Sequence, residues 1–167
     1  MISYIHFPVM AVMLLFLGAF LIEIFGAHNK TVRNTIAVAS TSIASILIYC
    51  LIKPVFFGGE IISYWMGNWA PVGGYAIGIG YEIDQLNLFF AIMVVTTFLL
   101  GSIFSVRYME RDHHLGHYYT LFLMLSGSVL GLVCTGDVFN MFVMIEIMTF
   151  ASVALTSFRG ENKKSAE

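Results

Sequence analysis

Five long apolar runs constrain this chain more than any other feature. A helix that crosses the hydrocarbon core of a bilayer needs about 20 consecutive, mostly apolar residues. Because lipid offers the backbone no hydrogen-bond partners, such a segment is expected to be helical. Runs of this kind cover residues 4–25, 34–52, 85–106, 118–134 and 138–157. The sequence therefore predicts an all-α polytopic membrane protein with about five transmembrane helices.

The composition excludes a soluble domain, a disordered chain and a nucleic-acid-binding protein. Hydrophobic residues make up 59% of the chain and charged residues 11%, whereas an ordinary soluble domain is about 25% charged. Disorder requires low hydrophobicity, and nucleic-acid binding requires a basic surface that a net charge of −2 does not supply. Cys50 and Cys134 both lie in apolar runs and are too few for a disulfide framework or a structural zinc site. No metal and no cofactor are expected.

The positions of lysine and arginine predict the orientation of the spans. Of the eight such residues, all but Lys53 lie between spans one and two, between spans three and four, or in the tail after span five. Because cytoplasmic loops are enriched in these residues, the amino terminus is expected outside and the carboxyl terminus in the cytoplasm. The first run lacks the basic start and the clean cleavage site of a signal peptide. We therefore expect one transmembrane domain in the cell membrane, residues 1–158, and a polar tail, residues 159–167.

The longest connection, residues 53–84, is predicted on the outer side. Its many aromatic side chains suit a membrane interface. Residues 61–66 and 75–83 flank a stretch rich in glycine and proline, which is typical of two strands around a turn. The prediction is an extracytoplasmic β-hairpin between helices two and three. An irregular interfacial loop is the alternative.

A three-residue turn, residues 135–137, joins spans four and five into a helical hairpin. Gly136 fits the left-handed position that follows many helix ends, and Asp137 fits the N-cap of span five. Gly127 and Gly131, four residues apart, favour a close helix contact along one face of span four. The alternative is that glycine is simply common in membrane helices.

Glu146, near the middle of span five, is the sharpest functional candidate. A carboxylate at this depth costs a few kcal/mol, so the group either stays protonated or faces a cation or a water-filled path. Its helix face also carries Thr149 and is otherwise apolar. No lysine or arginine lies inside the five predicted spans, so we expect the partner charge to come from another subunit. A neutral glutamic acid that hydrogen-bonds a neighbouring helix is the alternative.

Two further groups of polar residues lie at the predicted cytoplasmic side. Glu23 is within one turn of the end of span one and can reach the headgroups, which favours a structural or interfacial role. His113, His114 and His117 form a cluster without the ligands or spacing of a standard zinc motif. We interpret these histidines as solvated side chains near a helix end.

Several stretches of the chain together resemble the N-terminal part of one family, the antiporter-like membrane subunits. Such subunits occur in NADH–quinone oxidoreductase, in Mrp-type sodium/proton antiporters, whose D-type member is the most similar, and in membrane-bound hydrogenase-type complexes. The most specific stretch runs from Gly136 through Asp137, Asn140 and Glu146 to Ile147. The others are Trp65 to Pro71 with Gly78 and Ile79, Asp84 with Leu86 and Asn87, and Phe104 and Ser105 with Tyr108 and Met109.

The resemblance implies that Glu146 is a proton-channel residue, paired in the family with a lysine on a later span. It also implies an outer hairpin between spans two and three. Asp137, Asn140, Thr149 and Glu23 are the candidate supporting residues for proton translocation. Family chains continue through further spans, whereas Lys163 and Lys164, the lysines that follow Glu146 here, lie in the tail. The expectation is a shortened or split subunit of a multi-subunit energy-converting complex, with a companion chain supplying the lysine-bearing spans.

Two other functions remain open from the sequence. A non-conducting module could seal or anchor larger ion-translocating subunits, with Glu146 as a hydrogen-bonding residue. An independent homo-oligomeric transporter is disfavoured, because the five spans contain no internal inverted repeat. The chain is not expected to be an enzyme on its own, and the sequence leaves open both the parent complex and the choice between Na⁺ and H⁺.

Overall fold

The computed structural model describes residues 4–26, 29–68, 78–109 and 115–158. A 3₁₀ turn precedes the first helix, and π-helical turns, Ile22–Gly26 and Lys53–Phe57, follow the first and second helices. With these turns, five segments of the described chain are long and apolar enough to cross a membrane, which confirms the predicted fold. The helices are α1 (Phe7–Leu21), α2 (Lys30–Tyr49), α3 (Gln85–Tyr108), α4 (Leu115–Cys134) and α5 (Val138–Thr156).

Helices α2 and α4 begin before the apolar runs from which they were predicted. The Asn29 side chain caps α2 by accepting the N–H groups of the second and third residues of the first turn, at 3.0 and 3.3 Å. Capping is local chemistry, so it starts the helix at Lys30 rather than at residue 34. Lys30 and Arg33 therefore belong to the helix, and the expectation that the spans contain no lysine or arginine is wrong. Likewise α4 starts at Leu115 instead of residue 118.

Helix α4 is the centre of the bundle. It packs against α1, α3 and α5, while α2 packs against α1 and α3. The largest fully buried apolar side chains lie on α1 to α4 or close to their ends, and include Ile22, Ile48, Leu88, Leu123 and Leu130. By contrast, α5 buries only three of its 19 residues. Helix α5 therefore lies at the edge of the described bundle, with most of its surface open.

The predicted hairpin is present as two short antiparallel strands, β1 (Ile62–Trp65) and β2 (Gly80–Ile83). In this register Ile62 pairs with Ile83 and Trp65 pairs with Gly80. The strands are shorter than the predicted arms 61–66 and 75–83. Residues 69–77 lie outside the described residues; they comprise most of the predicted turn, 67–74, and the first three residues of the second arm. For the paired residues, the ladder excludes the alternative of an irregular loop.

The hairpin is attached to the turn between α4 and α5. Tyr81 of β2 forms an isolated β-bridge with Thr135, and the Gly136 N–H donates to the carbonyl oxygen of Gly80 at 3.0 Å. Strand β2 thus gains a second partner on the side away from β1. The start of α5 is thereby fixed both to α4 and to the hairpin.

Gly136 does not have the left-handed conformation that the sequence predicts. In the described chain the glycines with positive φ are Gly59 and Gly67. Position 136 requires glycine for another reason, because a Cβ atom there would lie 2.9 Å from the Cβ of Glu82. The close approach of β2 explains this glycine, and that contact is invisible from the local sequence.

Candidate functional site

The site begins at the first turn of α5. The Asp137 carboxylate accepts the N–H groups of Phe139 at 3.0 Å and Asn140 at 2.9 Å, which confirms the predicted N-cap. The Asn140 side chain is only 2% exposed and donates to the hydroxyl of Thr135 at 2.9 Å. These bonds fix both the starting point and the rotation of α5. Asp137 and Asn140 therefore have visible structural roles at this helix end.

We expect Asp137→Ala to destabilise the start of α5. Two backbone N–H groups lose their acceptor, and losing an N-cap typically costs about 1 kcal/mol of unfolding free energy. The thermal unfolding midpoint in detergent should fall accordingly. Asp137→Asn is the matched control, because asparagine is an equally good N-cap. Equal unfolding midpoints for the alanine variant and the wild type would contradict the capping role.

Tyr81 completes this end of the site from the hairpin. Its side chain is only 2% exposed. Burial raises the pKa of Tyr81 above its ordinary value, and an interaction with the Asn140 side chain offsets part of this change. An ordinary phenol is already protonated at neutral pH, and burial favours the same neutral form. The hairpin thus contributes a neutral, hydrogen-bonding group to the beginning of α5.

Glu146 lies near the middle of α5 and points away from the rest of the described bundle. The side chain is exposed, and within the described residues it makes no hydrogen bond or ion pair. The three buried residues of α5 are Asn140, Met144 and Ala151. At about 100° per residue, Glu146 lies about 200° around the helix from Met144, on the side opposite α4. A carboxyl group at mid-membrane depth is therefore directed outward.

The neighbours of Glu146 on α5 give it no polar partner. Thr149 is exposed, and its hydroxyl donates to the carbonyl oxygen of Ile145 at 2.8 Å, so its hydrogen is used within the helix. Phe142 is 61% exposed and Phe150 is 73% exposed. The outward face of α5 is therefore a broad apolar surface with one carboxyl group near its centre.

The cations of the described spans lie at helix ends, whereas Glu146 lies near the middle of α5: Lys30 and Arg33 start α2, Lys53 follows it, and Arg107 is in the last turn of α3. Arg33 is in the first turn of α2, 6% exposed, with its guanidinium carbon 5.7 Å from the centre of the Tyr119 ring on α4. Lys53 is exposed at the other end of α2. Neither α2 nor α3 packs extensively on α5. From these helix ends, none of the four cations can neutralise a carboxyl group in the middle of α5 on its outward face.

Glu23 belongs to a separate polar contact between α1 and α4. It lies in the π-helical turn after α1 and accepts a hydrogen bond from the Thr120 hydroxyl at 3.1 Å. Its other oxygen is 3.2 Å from Nδ1 of His117. These contacts agree with the expected structural role. His113 and His114 lie outside the described residues, and no group of three potential metal ligands occurs among those that are described.

Gly127 and Gly131 lie at two different helix contacts. A Cβ atom at position 127 would lie 3.3 Å from Leu15 of α1, and one at position 131 would lie 2.6 Å from the sulfur of Met144 on α5. The two glycines of α4 therefore allow close contact with two different helices, α1 at Gly127 and α5 at Gly131. Gly131 holds α5 closely at the level of Met144, two residues from Glu146.

Buried hydroxyl groups between α2 and α3 form a polar contact that was not predicted from the sequence. Thr41 and Ser102 hydrogen-bond across the two helices at 2.9 Å, and Ser45 donates to a carbonyl oxygen of α3 at 3.3 Å. Ser105 donates to the Tyr119 hydroxyl at 3.3 Å. The spacing of Thr41 and Ser45 by one helical turn on α2 is the signal that could have indicated this contact, whereas Ser105 faces α4.

Comparison with known proteins places these features in context. Residues 69–119 match the family model described as NADH-ubiquinone oxidoreductase (complex I), chain 5 N-terminus. NAD(P)H-quinone oxidoreductase chain 5 of Picosynechococcus is 23% identical over 96% of this chain and 24% of its own length. Na⁺/H⁺ antiporter subunit A1 of Staphylococcus aureus is 28% identical over 93% of this chain and 19% of its own length. The chain thus spans about a quarter or less of these relatives, and the predicted similarity to the D-type member of the Mrp antiporters in particular stays a prediction.

Two solved structures share the fold. A chain of the membrane-bound sulfane sulfur reductase, an archaeal respiratory membrane complex, has a TM-score of 0.86 at 24% identity. That match covers 98% of this chain and 32% of the other. A chain of the Mrp complex from Dietzia has a TM-score of 0.76 at 20% identity. That match covers 93% of the present chain and 28% of the Mrp chain. The sequence matches confirm the predicted resemblance to antiporter-like membrane subunits, and residues 69–119 are similar to the N-terminal part of chain 5. The two solved structures show that the fold is shared over nearly the whole chain.

Proposed function

We propose that this chain contributes Glu146 to proton or sodium translocation by a multi-subunit membrane complex. The observation that carries the proposal is the direction of Glu146, which faces outward from α5 at mid-membrane depth with no partner among the described residues. An ionisable group exposed to hydrocarbon costs several kcal/mol, so its outward face needs a polar occupant. A helix that bears a lysine or arginine supplies the missing charge.

The shape of the bundle supports this arrangement. Helix α5 is fixed to α4 along one narrow stripe, and its other faces are open. A cation-bearing helix packed on this surface would cover both the carboxyl group and the aromatic side chains around it. Proton exchange then depends on the distance between the carboxyl group and the cation, because a nearby positive charge favours the ionised acid.

The comparisons support the setting of the proposal. The relatives are named as subunits of a quinone oxidoreductase and of a Na⁺/H⁺ antiporter, and both solved structures belong to membrane complexes. We place this chain in such a complex in the cell membrane, with its amino terminus outside. In the split-subunit form of the proposal, the cation-bearing helix belongs to a companion chain.

The occupant of the outward face can be identified directly. We expect a photo-crosslinking amino acid at Phe142 or Ile145, which are exposed close to Glu146, to capture one defined helix containing a lysine or arginine. The same probe at Leu17 of α1, an exposed apolar position on another helix, is the matched control. Mass spectrometry of the crosslinked peptides names the partner and shows whether it belongs to a separate chain. Crosslinks to lipid alone at all three positions would contradict the proposal.

A structural module is the second candidate. The observation in its favour is the close contact at Gly131, which fixes α5 and its broad apolar face as a surface on which larger subunits can pack. In that function Glu146 only hydrogen-bonds, so its amide variant would support normal ion translocation. Ion translocation by the complex carrying Glu146→Gln separates the two candidates.

A further inference from the structure

We propose that a groove between the start of the first span and the end of the second binds the headgroup of phosphatidylethanolamine, a zwitterionic phospholipid. Lys53 binds its phosphate group, and Glu60 binds its ammonium group. The site is separate from Glu146 and does not depend on the function proposed above. It follows from two opposite charges that line one cavity without pairing with each other.

The groove is an open cavity of about 520 Å³ at one end of the bundle. Its walls come from Tyr4 and from side chains between Cys50 and Glu60. The first span begins at Tyr4 and the second ends at Phe57, so the cavity lies at a membrane surface, at the depth of lipid headgroups. Sites for small ligands typically measure about 300–1,000 Å³. The cavity therefore has room for a headgroup.

One cation and one anion line this cavity. Lys53 and Glu60 are both exposed, and neither forms an ion pair with a residue that the structure describes. The Tyr4 hydroxyl donates a hydrogen bond to Oε2 of Glu60 at 2.7 Å. This bond holds the carboxylate at the start of the first span and leaves Oε1 available to a second donor. Opposite charges that share a cavity without meeting suit a ligand that carries both signs.

Pro54 adds a backbone acceptor to the same cavity. Proline has no N–H, so the carbonyl oxygen of Cys50, four residues earlier, lacks its usual helical donor. The next N–H, that of Val55, donates to the carbonyl oxygen of Leu51 at 3.1 Å and does not replace it. Both Cys50 and Pro54 line the cavity. An ammonium group, which has three N–H donors, can satisfy such a carbonyl oxygen together with a carboxylate.

The same groups distinguish between phospholipids. A purely anionic headgroup would bring a second negative charge to Glu60, and the quaternary ammonium of choline has no N–H to donate to Glu60 or to the Cys50 carbonyl oxygen. The primary ammonium of ethanolamine satisfies both acceptors, while its phosphate pairs with Lys53. Phe57 lines the cavity, is 85% exposed and offers an aromatic surface at the membrane interface. Phosphatidylethanolamine is therefore favoured over the other two lipid classes.

Photoactivatable lipids test this site in the intact complex. The complex is reconstituted in nanodiscs that contain a phosphatidylethanolamine, phosphatidylcholine or phosphatidylglycerol probe with the same acyl chains, and labelled peptides are mapped by mass spectrometry. We expect the phosphatidylethanolamine probe to label residues 50–60 more strongly than the other two probes. Lys53→Gln should reduce that labelling by about tenfold, since the phosphate loses a charge-assisted hydrogen bond. Glu60→Gln should remove the preference over phosphatidylcholine, and Glu60→Lys should transfer the preference to phosphatidylglycerol.

Arg107→Gln is the matched control, because Arg107 is an exposed cation in the last turn of α3, at the opposite end of the bundle. Labelling of residues 50–60 should be unchanged in that variant. The comparison of the three lipids in the wild type does not depend on the folding of any variant, and a transferred preference in Glu60→Lys is a gain that misfolding cannot produce. Equal labelling by the three lipids, or a crosslink from this groove to a protein instead of lipid, would overturn the proposal.

Discussion

Ion translocation by a complex that carries Glu146→Gln is expected to fall at least tenfold, to the level of an inactive complex. Glutamine keeps the size and hydrogen-bonding capacity of the side chain but cannot release a proton. Because Glu146 has no bond within the described residues, its replacement should leave the packing of α5 on α4 intact. The measurement is proton or sodium flux in proteoliposomes, together with the subunit composition and the thermal unfolding midpoint of the purified complex.

Two other substitutions make this result interpretable. Glu146→Asp retains the titrating group one methylene further from its partner, and we expect partial activity. Glu82→Gln removes the same charge from an exposed residue of β2, outside α5, and should leave ion flux unchanged. Full activity of Glu146→Gln in a correctly assembled complex would favour the structural module instead.

The features of this fold that follow from local sequence were predictable. Twenty-residue apolar runs predict membrane helices because lipid leaves the backbone no other solution, and all five occur. The Asp137 cap was predictable because it involves residues only two and three positions apart. Glu146 stood out because a carboxyl group within an apolar run is costly wherever the neighbouring helices lie.

The features that depend on tertiary contacts were not predictable from the sequence. Position 136 carries a glycine, as a left-handed turn would require. The close approach of Glu82 on β2, however, is what excludes a side chain there. Arg33 looked like a loop residue, because hydropathy does not detect the Asn29 cap that extends α2. The direction of Glu146, away from α4, was not predictable either. It depends on which side of α5 packs against the bundle.

Replacement of Gly131 by leucine is expected to produce the largest loss of stability. A single Cβ atom at this position would lie 2.6 Å from the sulfur of Met144, so a whole leucine side chain cannot fit without separating α4 and α5. Forcing extra atoms into a close-packed contact costs about 1–3 kcal/mol, and this site is expected at the upper end of that range. The thermal unfolding midpoint of the chain in detergent should fall, and less α5 should be protected from proteolysis.

The stability of α5 and the function of Glu146 are linked through this contact. Because α5 has few buried residues besides Met144, leucine at position 131 should also move Glu146 and reduce ion flux, although the carboxyl group remains. Combining Gly131→Leu with Met144→Ala should recover part of the stability, since alanine frees space opposite the new side chain. Gly101→Ala is the control, because a Cβ atom there meets only the Phe122 ring, at 3.3 Å. Wild-type stability in Gly131→Leu would show that α5 is not held by this contact, and the structural account of how Glu146 is directed outward would fail with it.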